Sequence, residues 1–185
     1  MAHLVQQIHR LRVVPHARFG DSTPLPADAR SAQERVASTS IVVPGVLALL
    51  VSIWAGLVPF VGSSFGFAAD GTPSWTWNLV HALGALVPGA VGVLACSAMI
   101  ATARGAAKSA TSTRVLIGAG SLLLACGAWF AAVPVAWPVV VGPYFHVATP
   151  SMTLAYWMGL AIGPGVLLVA LAAFTIGWAA RAPHN

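Results

Sequence analysis

Between Ser40 and the C-terminus the only charged side chains are Asp70, Arg104, Lys108, Arg114 and Arg181, and the stretches between them are strongly apolar. Uninterrupted apolar runs of about 20 residues are the length that spans the hydrocarbon of a bilayer. Composition agrees with that reading. Of the 185 residues 58% are apolar and 7% charged, whereas a soluble fold of this size covers its surface with roughly 25% charged residues. The class is therefore an all-α integral membrane protein, and the heavy use of Arg over Lys suggests GC-rich bacterial coding DNA, hence a bacterial plasma membrane.

Four spans are expected, at about 41–61, 77–102, 115–137 and 152–179. Orientation follows from Arg and Lys alone. Arg10, Arg12, Arg18, Arg30 and Arg35 precede the first span; Arg104, Lys108 and Arg114 separate the second from the third; Arg181 follows the fourth. The two remaining loops, about 62–76 and 138–151, contain no Lys or Arg. All nine basic residues thus fall on one face, which places both termini in the cytoplasm (N-in/C-in). The net charge of +5 anchors that face and offers no nucleic-acid site, which would need Lys and Arg clustered with exposed aromatics. Trp75, Trp77, Trp137, Tyr144 and Phe145 fall at the outer boundary and Trp178 at the inner one, where amphipathic rings prefer to sit.

The expected organisation is a cytoplasmic N-terminal tail at 1–40, a first transmembrane hairpin at 41–103, a cytoplasmic loop at 104–114, a second hairpin at 115–181 and a C-terminal tail at 182–185. In the N-terminal tail Leu4, Ile8 and Leu11 stand at helical spacing among His3, His9, Arg10 and Arg12, a pattern that suits either a short amphipathic helix on anionic lipid or a solvated segment. Pro15, Pro24 and Pro26 break any longer helix there. The first apolar run starts only near Ile41, too far in for an ordinary cleavable signal peptide, so the tail is expected to stay on the mature protein.

An internal repeat is the most specific feature. A shift of 75 residues places Gly45 on Gly120, Leu47 on Leu122, Leu49 on Leu124, Trp54 on Trp129, Val58 on Val133 and Pro59 on Pro134. A shift of 76 places Pro88-Gly89 on Pro164-Gly165. Two hairpins of equal orientation are expected, related by an axis along the membrane normal: a parallel repeat and not an inverted one.

The stretch from Trp54 to Ala95, with Trp54, Pro59-Phe60, a short Gly-rich outer loop, Trp75, Trp77-Asn78 and a Gly/Val/Leu span, resembles the SPW-repeat membrane family. That family is built from a two-helix repeat with a Ser-Pro-Trp signature in its first helix. Here the triplets read Val58-Pro59-Phe60 and Val133-Pro134-Val135, which keep the proline. The resemblance implies the paired-hairpin architecture and supplies no catalytic residues.

Chemistry-bearing residues are few. His81 lies about one turn inside the second span, and an intramembrane His is a functional hypothesis by default; with His146 of the second outer loop it is a candidate ligand for a b-type haem or a quinone. The repeat-equivalent of His81 falls near Trp157, which cannot ligate iron. His3, His9, His16 and His184 read as solvated. Cys96 and Cys126 lie in spans, form no Cys-x-x-Cys pair, and read as small packing residues. Asp70, the one carboxylate outside the tail, makes neither an acid/base pair nor a metal site. No Asp, Glu, Lys or Arg falls in mid-membrane, which argues against an ion-coupled pump. No catalytic or metal-binding residues are expected.

Prolines 44, 59, 88, 134, 138 and 164 lie in or at the ends of spans, and Gly84, Gly89, Gly92, Gly118, Gly120, Gly163 and Gly165 are positioned to let helices approach closely. A chain rich in packing surface and poor in chemistry is expected to be a non-catalytic accessory or scaffold subunit of a larger membrane complex, such as a transporter or respiratory assembly. A haem- or quinone-binding anchor using His81 is one alternative. A small lipid or hydrophobe carrier using the cleft between the hairpins is the other.

Overall fold

The computed structural model describes residues 26–66, 73–104, 110–141 and 157–181. The chain divides into two compact units, 1–33 and 34–185. All elements among the described residues are helical. Helix α1 spans Ala27–Val61 and passes into a 3-10 turn at Gly62–Phe65. A short α turn at Leu79–His81 and a π turn at Ala82–Leu86 lead into α2, Val87–Arg104. Helix α3 spans Ala110–Val141. A second π turn at Met158–Ile162 leads into α4, Gly163–Ala180. Among the described residues four helices are long and apolar enough to cross a membrane: Ser38–Phe65, Leu79–Ala103, Thr111–Ala136 and Met158–Ala180.

These limits differ from the sequence expectation at several ends; α3, for one, starts at Ala110, inside the loop expected at 104–114. Helix α1 starts at Ala27, directly after Pro26 and well before the apolar run; Asp28 in its first turn complements the helix dipole, and Ser31 Oγ donates to the Asp28 carbonyl at 2.8 Å. The second span opens at Leu79, two residues later than hydropathy suggests, because Asn78 is extended and caps it. The amphipathic stretch around Leu4, Ile8 and Leu11 and the loop containing Tyr144 and His146 lie outside the described residues.

Within 34–185 each helix runs antiparallel to its neighbours. Ser38 Oγ donates to the Ala103 carbonyl at 3.2 Å, tying the start of the first span to the end of the second. The α1–α2 crossing is made by backbone: a Cβ on Gly89 would lie 2.6 Å from Gly56 Cα and 3.0 Å from the Ser52 carbonyl oxygen. In α3–α4, a Cβ on Gly165 would lie 2.7 Å from both the Ala131 nitrogen and the Gly127 oxygen. Lipid is as apolar as Leu, so nothing sorts large apolar residues inward, and small residues that allow close approach take the interior. Helix α1 shows this sorting clearly. Ala48, Ser52 and Ala55 are fully buried, while Val43, Leu50, Ile53 and Leu57 face outward.

Positions separated by 75 or 76 residues make like contacts. A Cβ on Gly45 would meet Ile100 at 2.9 Å, and one on Gly120 would meet Ile176 at 2.8 Å. One contact is swapped in size: Ser52 packs on Gly92 in the first hairpin, and Gly127 packs on Leu168 in the second. The π turns are 76 residues apart, each ending one residue before an X-Pro-Gly sequence, Val87-Pro88-Gly89 and Gly163-Pro164-Gly165.

Candidate functional site

The π turns have a physical cause. Proline has no N–H and its ring crowds the carbonyl four residues back, so a helix accepts it by opening locally. At the second π turn Gly163 N–H donates five residues back to Met158 O. Continuing that register, Pro164 would serve Gly159 O and cannot. The Trp54 indole N–H takes that carbonyl at 3.0 Å, joining α1 to the entry of α4. In lipid an unmatched carbonyl has no water to turn to, so a side chain from a neighbouring helix is the usual remedy. At the first π turn Val87 N–H donates to Ala82 O, which leaves Leu83 O in the position of Gly159 O.

His81 sits at the opposite end of the bundle from Ser38 and Ala103, in a small aromatic cluster. Asn78, extended before the helix, accepts the His81 backbone N–H on its side-chain oxygen at 2.7 Å, which is an N-cap. The His81 Nδ1–H donates to the Thr76 carbonyl at 2.8 Å. A carbonyl only accepts, so this bond places the proton on Nδ1 in the neutral ring and leaves the lone pair on Nε2. Phe60 is the hub: its ring lies 5.5 Å from the His81 ring in an edge-on arrangement and 5.0 Å from Trp77. Trp75, at φ 63, turns its backbone N–H onto the Phe60 carbonyl at 2.7 Å. Phe60 is 1% exposed and His81 5%, whereas Trp75 and Trp77 are largely open. The Ser74 hydroxyl bonds to the hydroxyls of both Ser63 and Ser64 and closes the loop stem.

In chemical terms this cluster positions one imidazole beside rings and carbonyls. Among the described residues no group of three or more His, Cys, Asp or Glu forms. His146 and Asp70 lie outside the described residues, so the pairing of His81 with His146 belongs to the proposals below. Cys96 and Cys126 are buried and free. Both lie in the apolar interior.

The repeat residues fall in three kinds of place. Pro88, Gly89, Pro164 and Gly165 are buried at the helix crossings, Pro59 and Pro134 are half-buried, and Trp54 and Trp129 are exposed on the outer surface. Of the glycines picked out by sequence, Gly89, Gly92, Gly120 and Gly165 are at close contacts, but a Cβ on Gly118 would meet nothing within 4 Å. Gly45, matched to Gly120 by the 75-residue shift, is crowded by Ile100; Gly127, which no sequence pattern marks, is as crowded, and Gly56 less so, with its nearest neighbour at 3.3 Å. The Pro-Gly pairs signalled an interruption in each even-numbered span. Which carbonyl each interruption releases, and that Trp54 reaches one, depends on where α1 lies against α4.

No family model, curated protein or solved structure matches this chain.

Proposed function

We propose that the protein is a non-catalytic accessory or scaffold subunit of a larger bacterial plasma-membrane complex, a transporter or respiratory assembly. Its spans form two hairpins that are parallel copies, with both termini in the cytoplasm. The 75- and 76-residue offsets of the π turns and of the Gly45–Ile100 and Gly120–Ile176 contacts support the copy relationship, and the one-sided distribution of Arg and Lys supports the orientation. The same paired-hairpin plan is what the resemblance to the SPW-repeat family implies.

The observation that carries the docking role is a difference between equivalent faces. On α1 the outward positions 43, 46, 50, 53 and 57 are Val, Val, Leu, Ile and Leu, all exposed. On α3 the positions 75 residues later are Gly118, Ser121, Ala125, Ala128 and Ala132, and these too face outward. Large branched residues suit lipid chains, whereas a line of small residues at helical spacing suits the close approach of another helix. Helix α3 thus presents a seam, and α1, built on the same pattern, presents a lipid face.

The test is a mild-detergent pull-down of the tagged chain from its native membrane, read by mass spectrometry. A stoichiometric partner is expected with the unaltered chain and with Leu50→Ala. It should be lost when Ala125→Leu and Ala128→Leu fill the seam. Recovery of the unaltered chain alone would sink the proposal.

The second reading, a haem- or quinone-binding anchor at His81 and His146, draws support from the Nδ1–H bond to Thr76. Ligating imidazoles are commonly oriented by just such a bond from the other ring nitrogen to a carbonyl. A Soret band lost in His81→Ala, or a quinone that co-purifies with the unaltered chain only, favours it. A colourless, quinone-free protein counts against it.

A further inference from the structure

At the end of the bundle that carries Arg114 and Arg181, helices α1 and α4 part and leave a groove of about 720 Å³, open along its outer side. Thr39, Val43, Pro44 and Leu47 line one wall, and Ala170 and Phe174 line the other. The two helices are held together elsewhere. Trp54 bonds to Gly159, and Val58 packs with Leu160 and Trp157. Pro44 stands within the groove wall, where it has no N–H to offer the carbonyl of Ser40. On α2 and α3, Met99, Leu116, Ala119 and Leu123 are buried in the core cluster. The volume falls within the range of ligand clefts, and the groove is open along its outer side rather than enclosed.

We infer that this groove holds one acyl chain of an anionic phospholipid, with the lipid phosphate at Arg181. Three observations carry the assignment. The wall of α1 from Thr39 to Leu47 rises about 12 Å at 1.5 Å per residue, close to the roughly 15 Å depth of one leaflet's hydrocarbon. The lining is apolar except for the hydroxyls of Thr39 and Ser40 at the groove's end. Phe174 and Arg181 are seven residues apart and share a face of α4, so the exposed Arg181 stands about 10 Å beyond Phe174 on the same side. That spacing leaves room for a glycerol backbone between chain and phosphate. Trp178, one turn before Arg181 and seven residues after Leu171 of the groove wall, is half-buried at the level where indoles favour the interface.

The experiment uses the full chain in nanodiscs of equal phosphatidylglycerol and phosphatidylcholine, released into the gas phase and weighed with whatever lipid stays bound. The unaltered chain is expected to retain one lipid, with phosphatidylglycerol favoured about five-fold, the worth of one basic residue near an anionic surface. Ala170→Trp fills the groove and should lose the lipid, whereas Ala173→Trp, on the neighbouring outer face, should keep it. Arg181→Gln should keep a lipid and lose the preference, an arm that stands even if the tryptophan variant does not fold. Equal retention by Ala170→Trp and the unaltered chain would overturn the inference, as would an unchanged preference in Arg181→Gln or an unaltered chain that retains no lipid. The pull-down result bears on none of these outcomes, so the lipid site and the accessory role fail separately.

Discussion

Replacing Gly89 by Ala tests whether backbone contact sets the α1–α2 crossing. The added methyl would stand 2.6 Å from Gly56 Cα, 3.0 Å from the Ser52 carbonyl oxygen and 3.1 Å from the Gly56 nitrogen. Carbon atoms rest at about 3.5–4.0 Å, so the helices must separate by roughly 1 Å at this point. All three obstructing atoms belong to the backbone, and no rotamer change relieves them. Overpacking of this kind costs about 1–3 kcal/mol, and a radial gap of 0.5–1 Å forfeits roughly a quarter to a half of the dispersion energy of the contacts it opens. Against this, Ala gains up to about 1 kcal/mol of helix propensity over Gly. A net loss of about 0–2 kcal/mol is expected from the difference of those terms. Gly118→Ala is the control, because its methyl meets nothing within 4 Å; it should be neutral or raise stability by up to about 1 kcal/mol. Reversible unfolding of both variants in bicelles supplies the comparison. If Gly89→Ala proves as stable as Gly118→Ala, the close crossing is not what holds the first hairpin together.

Trp54→Phe keeps the ring and removes the donor to Gly159 O, so a loss of about 0.6–1.7 kcal/mol is expected in the same assay, the range for side-chain hydrogen bonds between membrane helices; an unchanged midpoint would mean the carbonyl finds another donor. Ser52 Oγ is buried, beside the Cys96 thiol, with no bond of normal geometry, so Ser52→Ala should be neutral or stabilising. The same change should rescue Gly92→Ala, whose methyl would otherwise meet Ser52 Oγ at 2.6 Å; additive effects in a double-mutant cycle would refute that coupling. His81→Ala should cost about 1–3 kcal/mol by leaving the Thr76 carbonyl unmatched, and His81→Asn, which can place an N–H near Nδ1, should recover part of it. Loss in both variants together with loss of a bound chromophore would instead favour the cofactor reading.

Much of the architecture was legible in the sequence. Long apolar runs free of charge admit only helices in lipid, and four such runs were placed to within a few residues. The 75- and 76-residue shifts pointed to the prolines and glycines that sit at the interruptions and crossings. The start of α1 at Ala27 was not legible, because the segment before Ser38 carries charge and its helix is signalled only by Pro26 and Asp28. Nor could His81 be read as pinned to Thr76. Asn78 was visible, but the extended backbone that makes it a cap is a property of the folded loop.

By itself the sequence determined that the chain offers four helices long and apolar enough to cross a membrane and few reactive groups, since each depends only on composition along the chain. The tertiary structure decided which faces meet. Helices in lipid are apolar all round, so no hydrophobic stripe announces the inward side, and close approach depends on which small residues happen to oppose one another. Gly56 meets Gly89 while Gly118 meets nothing, and both read as glycine in an apolar helix. The groove between α1 and α4 is likewise a tertiary property, since residues as distant in sequence as Pro44 and Phe174 line one space.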